Sequence, residues 1–238
     1  MRSLRQAPVL LEVRNLNTDF LTPGEAPAHA LADINFTLRE GEVLGIVGES
    51  GCGKTTLMLS LMRLLPANGR ITSGKVNFMN TDLLSLSERE MGDVRWKNVA
   101  MIFQGAMNAL NPVHTVGRQI AEAIIQHNYI TDQKLVTDRV VELLELVGIG
   151  AERKDQYPHQ YSGGMRQRAM IAMALACNPQ VVIADEPTTA LDVMIQAQIL
   201  ELLAKLRDKL GLSILFVTHD LGVVAEMCDT VLVMYGGV

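Results

Sequence analysis

Two short stretches of this sequence concentrate the groups that act on phosphate. The first is Gly48-Glu49-Ser50-Gly51-Cys52-Gly53-Lys54-Thr55-Thr56, of the form G-x-x-x-x-G-K-T, entered from the apolar run Val43-Leu44-Gly45-Ile46-Val47. Its glycines let successive backbone N–H groups turn toward one point, making an anion nest at the start of a helix. Lys54 then reaches the β- and γ-phosphates of a nucleotide, and the Thr55 hydroxyl serves as a ligand for Mg2+. The second stretch is Val181-Val182-Ile183-Ala184-Asp185-Glu186-Pro187, an apolar strand that ends in two carboxylates. Asp185 is suited to hold Mg2+ directly or through water, and Glu186 to orient or deprotonate an attacking water. The plain alternatives are a Gly-rich turn and a pair of solvated loop acids. Both stretches on one chain, with a strand before the loop and a helix after it, favour a nucleoside triphosphate site.

A third stretch, Ser162-Gly163-Gly164-Met165-Arg166-Gln167-Arg168, opens a helix with an N-cap serine and exposed N–H groups, a second anion site. Taken alone it is also an ordinary flexible turn; its place just before the acidic strand is what informs. Cys52 lies at a helix N-terminus, a setting that can make a thiol sensitive to alkylation, but a small residue filling a tight loop is the favoured role for it.

The elements that must position these groups follow from the periodicity. Strands are predicted over 9–13 and 32–38 with a Thr22-Pro23-Gly24 turn between them, then over 43–47 into the phosphate loop. A helix is predicted from Lys54 to Leu65, ended by Pro66-Ala67-Asn68-Gly69, and a strand over 98–103 that closes on Gln104. From Gly105 to Gln160 the spacing turns helical, over 116–126 and 135–147. Helix (163–177), strand (181–184), helix (194–209), strand (213–217), short helix (221–227) and strand (230–234) complete the chain. Alternating strands and helices predict a mostly parallel sheet covered on both faces. The expected organisation is a first part of the nucleotide-binding core with a β subdomain (1–104), a helical subdomain (105–160) and a second part of the core (161–238).

Composition bounds the class. The 238 residues are 48% hydrophobic and 20% charged, enough for a substantial core, and no apolar run reaches the ~18 residues of a membrane span. The N-terminus lacks a signal-peptide core, so any membrane contact is expected to be peripheral. A formal charge of −5 gives no electrostatic footprint for nucleic acid. The three cysteines, Cys52, Cys177 and Cys228, are scattered without metal-ligand spacing, which suits a reducing cytoplasm.

Together these segments resemble the nucleotide-binding subunits of ABC transporters, in order and separation over nearly the whole chain. Gly48 to Thr55 matches the Walker A loop and Val181 to Glu186 the Walker B strand. Gln104 matches the Q-loop, Ser162-Gly163-Gly164 the signature motif, Ala190-Leu191-Asp192 the D-loop and His219 the switch histidine. The resemblance implies an α/β fold: a P-loop NTPase (RecA-like) core with an N-terminal antiparallel β region and an inserted α-helical subdomain. It implies ATP and Mg2+ as cofactors, bound between two head-to-tail subunits. Lys54 and Thr55 of one subunit would hold the phosphates while Ser162 and Gly164 of the other close over the γ-phosphate. Glu186 would act as general base, His219 would contact the γ-phosphate, and Gln104 would touch Mg2+ or the attacking water. Phe20 is the nearest candidate to stack on adenine, with local packing as its alternative.

Phe103 to Pro112 and Tyr157 to Arg168 are similar to the peptide and nickel importers of that family, including dipeptide and oligopeptide systems. Gly105-Ala106 departs from the Asp-Pro frequent there, which leaves the cargo open. The resemblance implies a second ATPase subunit, identical or not, two transmembrane permeases, an extracytoplasmic binding protein reached indirectly, and a peripheral place on the cytoplasmic face of the cell membrane. Family members continue past Tyr235-Gly236-Gly237-Val238, so a truncated chain is expected. The competing classes are a soluble ABC-type ATPase acting on ribosomes or nucleic acid, and a binding-only regulatory cassette. The first usually carries tandem cassettes or a long coiled-coil insertion; Glu186 and His219 oppose the second.

Overall fold

A computed structural model describes residues 6–103, 105, 109–127, 129–189 and 191–238. The chain divides into two compact units, 1–91 with 213–238, and 92–212.

In the first unit, strands β1 (Val9–Phe20) and β2 (Ala28–Arg39) pair antiparallel, and β4 (Gly69–Phe78) pairs with the other side of β1 and with the short β5 (Thr81–Asp82). Leu11, Val13, Leu16, Leu31, Ile34, Leu38, Val76 and Phe78 form the buried face. Both long strands run well past the expected 9–13 and 32–38. Register shifts around Asn15, with left-handed φ at Asn15 (48°) and Asp33 (55°), form a bulge that lets β1 continue through a polar stretch. Beneath this layer, β3 (Val43–Val47) is buried along its whole length between parallel neighbours β8 (Ser213–Val217) and β9 (Thr230–Val233). Helix α1 (Lys54–Leu61) follows β3, and α7 (Leu221–Met227) links β8 to β9. α1 stops at Leu61 rather than Leu65, because Met62 N–H turns to both Met58 and Ser60 carbonyls and Arg63 takes φ 51°.

Strand β4 and a further helix are among the elements that went unforeseen. β4 is exposed over most of its first half and carries little apolar alternation; its pairing with β1 holds it. Helix α2 (Glu88–Val94) opens on a capping box, with Ser87 Oγ accepting from Glu90 N–H and Glu90 Oε2 accepting from Ser87 N–H at 2.8 Å. Those hydrogen bonds from Ser87 hold the Glu90 carboxyl below its usual pKa.

In the second unit, β6 (Val99–Ile102) and β7 (Val181–Asp185) are parallel partners, Ile102 opposite Ala184. Between β6 and α5 (Gly163–Ala174) the chain is helical: α3 (Val116–Gln126), α4 (Gln133–Leu146) and 3-10 turns at Ala151–Arg153 and Pro158–Gln160. α6 (Val193–Leu210) follows β7 and ends at Gly211 with φ 67°, a left-handed C-cap. Ile120, Ile124, Val136, Val140, Leu143, Leu144, Ala169 and Ile171 fill the helical core. α4 starts two residues before Leu135 because Asp132 caps Lys134 and Leu135 N–H. α5 stops three residues short of Cys177, where Asn178 takes φ 51°. Among the described residues no helix is long and apolar enough to cross a membrane.

Two glycines separate strain from crowding. Gly24 has φ 83° with open space where a Cβ would stand; at Gly74 (φ 109°) a Cβ would lie 2.6 Å from Asn15 O and Leu16 Cα. Gly24→Ala is expected to cost about 1–2 kcal/mol and Gly74→Ala roughly 2–4 kcal/mol, backbone strain plus overpacking. Urea unfolding of both variants checks this; equal losses would contradict the assigned crowding.

Candidate functional site

The phosphate loop leaves the buried end of β3. Left-handed residues Gly51 (φ 82°) and Gly53 (φ 103°) give the backbone the turns an N–H nest requires. Glu49, Ser50 and Gly51 are exposed at the crest, while Cys52 is 5% exposed beneath them. A Cβ at Gly48 would collide with Met234 O and stand 2.6 Å from Cys52 Sγ, and one at Gly53 would stand 2.8 Å from Ala30 O. Gly237 N–H donates to Cys52 O at 3.2 Å, and Ala32 N–H to Gly237 O at 2.8 Å. The loop is therefore held between the start of β2 and residues 234–237 by backbone contacts.

Lys54 opens α1 and is only 7% exposed. A buried ammonium needs hydrogen-bond partners, and its Nζ donates to Gly48 O at 2.6 Å and Glu49 O at 2.8 Å. Its charge thus lies under the loop crest, where phosphate oxygens would compete for it. Thr55 is exposed on the first turn, and Thr56 is half-buried.

His219 belongs to the same unit. β8 pairs with β3, Val217 opposite Ile46, so the phosphate loop and His219 both follow the C-terminal ends of adjacent parallel strands, where α/β sheets place their ligands. Thr218 N–H donates to Ile46 O at 3.2 Å, and Asp220 caps α7 through Gly222 N–H at 2.8 Å. The exposed His219 is held between these two anchors. Phe20 ends β1, half-buried, with its Cε1 3.1 Å from where a Cβ of Gly69 would be; the ring lies over that glycine.

The second unit carries the carboxylates. Asp185 ends β7 and is 3% exposed. Glu186 follows with φ 45°, a left-handed conformation rare for a residue with a Cβ. Thr189 Oγ1 donates to Glu186 Oε2 at 2.8 Å, and Thr189 N–H to Glu186 O at 3.1 Å, so one residue orients the side chain and closes the turn. Sequence reasoning missed Thr189; a hydroxyl three residues past an acid in a turn was the available signal. Ser162 caps α5 by accepting from Met165 N–H at 3.3 Å, and Asp192 caps α6 by accepting from Ile195 N–H at 2.9 Å. The two helix starts meet at Gly164, where a Cβ would lie 2.8 Å from Ile195 Cγ2. Gly163 is half-buried and Ser162 exposed on that surface. Gln104 lies outside the described residues, as does Ala190.

Among the described residues no three His, Cys, Asp or Glu side chains form a metal-binding group. Mg2+ uses few protein ligands and takes most of its oxygens from phosphate and water. A hydroxyl such as Thr55 and a carboxylate such as Asp185 are the donor types it takes.

The family model described as ABC transporter matches residues 31–189. The chain is 54% identical to a probable peptide ABC transporter ATP-binding protein of Sinorhizobium fredii, covering 100% of this chain and 71% of that protein. It is 50% identical to the dipeptide transport ATP-binding protein of Bacillus subtilis, covering 96% of this chain and 68% of that one. Among solved structures, a dimeric ATP-binding cassette in a post-hydrolysis state bound to ADP and Pi superposes with a TM-score of 0.83. It is 30% identical, over 96% of this chain and 95% of that one.

Lys54→Ala is expected to weaken ATP binding by roughly 10- to 100-fold, the span of one or two charge-assisted hydrogen bonds. Titration calorimetry with ATP measures it, and parental affinity would remove Lys54 from the site.

Proposed function

This chain belongs to the ABC transporter family and is an ATP-binding, ATP-hydrolysing subunit; we propose that its hydrolysis drives uptake of di- or oligopeptides across a membrane. The observation that carries this reading is the near full-length likeness to subunits named for peptide and dipeptide transport. The stretches 103–112 and 157–168 point the same way.

The roles follow the chemistry of each side chain. Lys54 and the backbone of Gly48, Glu49, Ser50, Gly51, Cys52, Gly53, Thr55 and Thr56 hold the phosphates, and Phe20 contacts the adenine. Thr55, Asp185 and Gln104 would hold Mg2+, which when bound neutralises charge on the phosphate oxygens. Glu186 takes the proton of the attacking water, its carboxylate oriented by the Thr189 hydroxyl. His219 contacts the γ-phosphate. Ser162, Gly163, Gly164 and Asp192 act on the nucleotide of a second ATPase subunit.

That partnership has support on the surface. Val193 is 81% exposed and Met194 72%, both directly after Asp192, and Leu221, two residues after His219, is 71% exposed. Apolar side chains this open beside site residues suit burial against another subunit. Two permeases, and through them an extracytoplasmic binding protein, complete the assembly, with this chain peripheral on the cytoplasmic face of the membrane.

Glu186→Gln is expected to bind ATP and lose roughly 10²–10⁴-fold in turnover; near-normal hydrolysis would remove Glu186 as the base. With that variant tagged in its native host and membranes solubilised in MgATP, two polytopic permeases and a second ATPase are expected to co-purify. Ribosomal or nucleic-acid components without permeases would overturn the transport reading.

A further inference from the structure

A buried pair of hydroxyls joins β1 to α1. Thr18 on β1 and Ser60 on the last turn of α1 are both fully buried, and their side-chain oxygens stand 3.0 Å apart. Ser60 Oγ donates to Thr56 O at 2.7 Å. Its single proton is committed there, so Thr18 Oγ1 is the donor between the two hydroxyls. A directed chain of hydrogen bonds therefore runs from β1 through Ser60 to the first turn of α1, the turn that carries Lys54 and Thr55.

The pair is set among apolar residues. Leu16 on β1, Leu31 opposite Thr18 on β2, and Leu57, Met58 and Leu61 on α1 are each 2% exposed or less. Apolar packing is non-directional, and methionine in particular adapts to small displacements. A buried hydrogen bond has one good geometry, and breaking it leaves a polar group unsatisfied in the core. Thr18 thus fixes the register of α1 against β1, where apolar contact alone would let the helix shift. Two residues further along β1 stands Phe20, with its ring over Gly69. One end of the link is the strand that presents Phe20, and the other is the helix turn that presents Lys54 and Thr55.

We propose that Thr18 is a positioning residue for ATP binding, holding the strand that contacts adenine in register with the helix turn that contacts the phosphates. The proposal rests on the roles proposed for Phe20, Lys54 and Thr55. The phosphate loop has its own backbone contacts, at Ala30, Met234 and Gly237, so loosening α1 from β1 leaves the triphosphate site intact. What is lost is the simultaneous fit of base and phosphates.

The test is Thr18→Val in the full chain, with affinities for ATP and for inorganic tripolyphosphate measured by titration calorimetry. Valine keeps the branched shape and loses the hydroxyl. Affinity for ATP is expected to fall roughly 5- to 10-fold, part of what one base–aromatic stack contributes, while affinity for tripolyphosphate stays parental. Thr18→Ser, which keeps the hydroxyl, is expected to match the parent with both ligands. Parental ATP affinity in Thr18→Val overturns the proposal, as does an equal loss for the two ligands or a Thr18→Ser variant as weak as Thr18→Val. Should Thr18→Val not fold, Ser60→Ala cuts the same link from the helix side and decides by the same readouts. Phe20→Leu run alongside separates the two ideas. If it binds ATP at parental affinity, the adenine contact falls and the proposal with it. If it binds weakly while Thr18→Val does not, only the link falls.

Discussion

The first unit is organised around a backbone approach too close for side chains. The phosphate loop lies between the start of β2 and residues 234–237, with Ala30 O and Met234 O where Cβ atoms of Gly53 and Gly48 would need to be. This contact links the antiparallel layer to the parallel one: Gly237 bonds to the loop at Cys52 and to β2 at Ala32. It also explains why Lys54 is so well covered. With the loop backbone fixed from two sides, its carbonyls become a stationary set of acceptors that compensates for burying an ammonium.

A second regularity is that site segments are delimited by caps. Ser162, Asp192 and Asp220 each accept from a helix-start N–H, and the first two are themselves assigned site residues while the third follows His219 directly. The residues that end the irregular backbone are the ones that present chemistry beyond it. Losing such a side chain would shift a helix start as well as remove a functional group, so loss of activity alone does not separate the two effects.

Much of this was legible in the sequence because the decisive signals are local. The apolar run before a Gly-rich loop fixed β3 and α1, and α3 runs from Val116 to Gln126 as its spacing predicts. Where the pattern was non-local it failed: β4 is specified by its partner β1 rather than by its own exposed residues. α2 was a local signal overlooked, since Ser87 and Glu90 stand at capping-box spacing. For the proposed site, residue types pointed to the phosphate loop and the acidic strand end, and the family resemblance suggested Gln104, Asp192 and His219. Contacts that depend on three-dimensional return of the chain stayed hidden. Nothing in the order of residues says that Gln119 meets carbonyls up to eight positions earlier, or that Thr189 closes on Glu186 across a turn in which Glu186 itself is left-handed.

The backbone at Glu186 has an evolutionary corollary. At φ 45°, a chain shaped by foldability alone would drift toward glycine or asparagine, which occupy that region at less cost. Keeping a carboxylate there opposes the local gradient of stability. Lineages released from the need to hydrolyse ATP would have a thermodynamic reason, and not only neutrality, to discard it. Decay of the site would therefore be expected to begin at this position and to leave a sturdier protein behind.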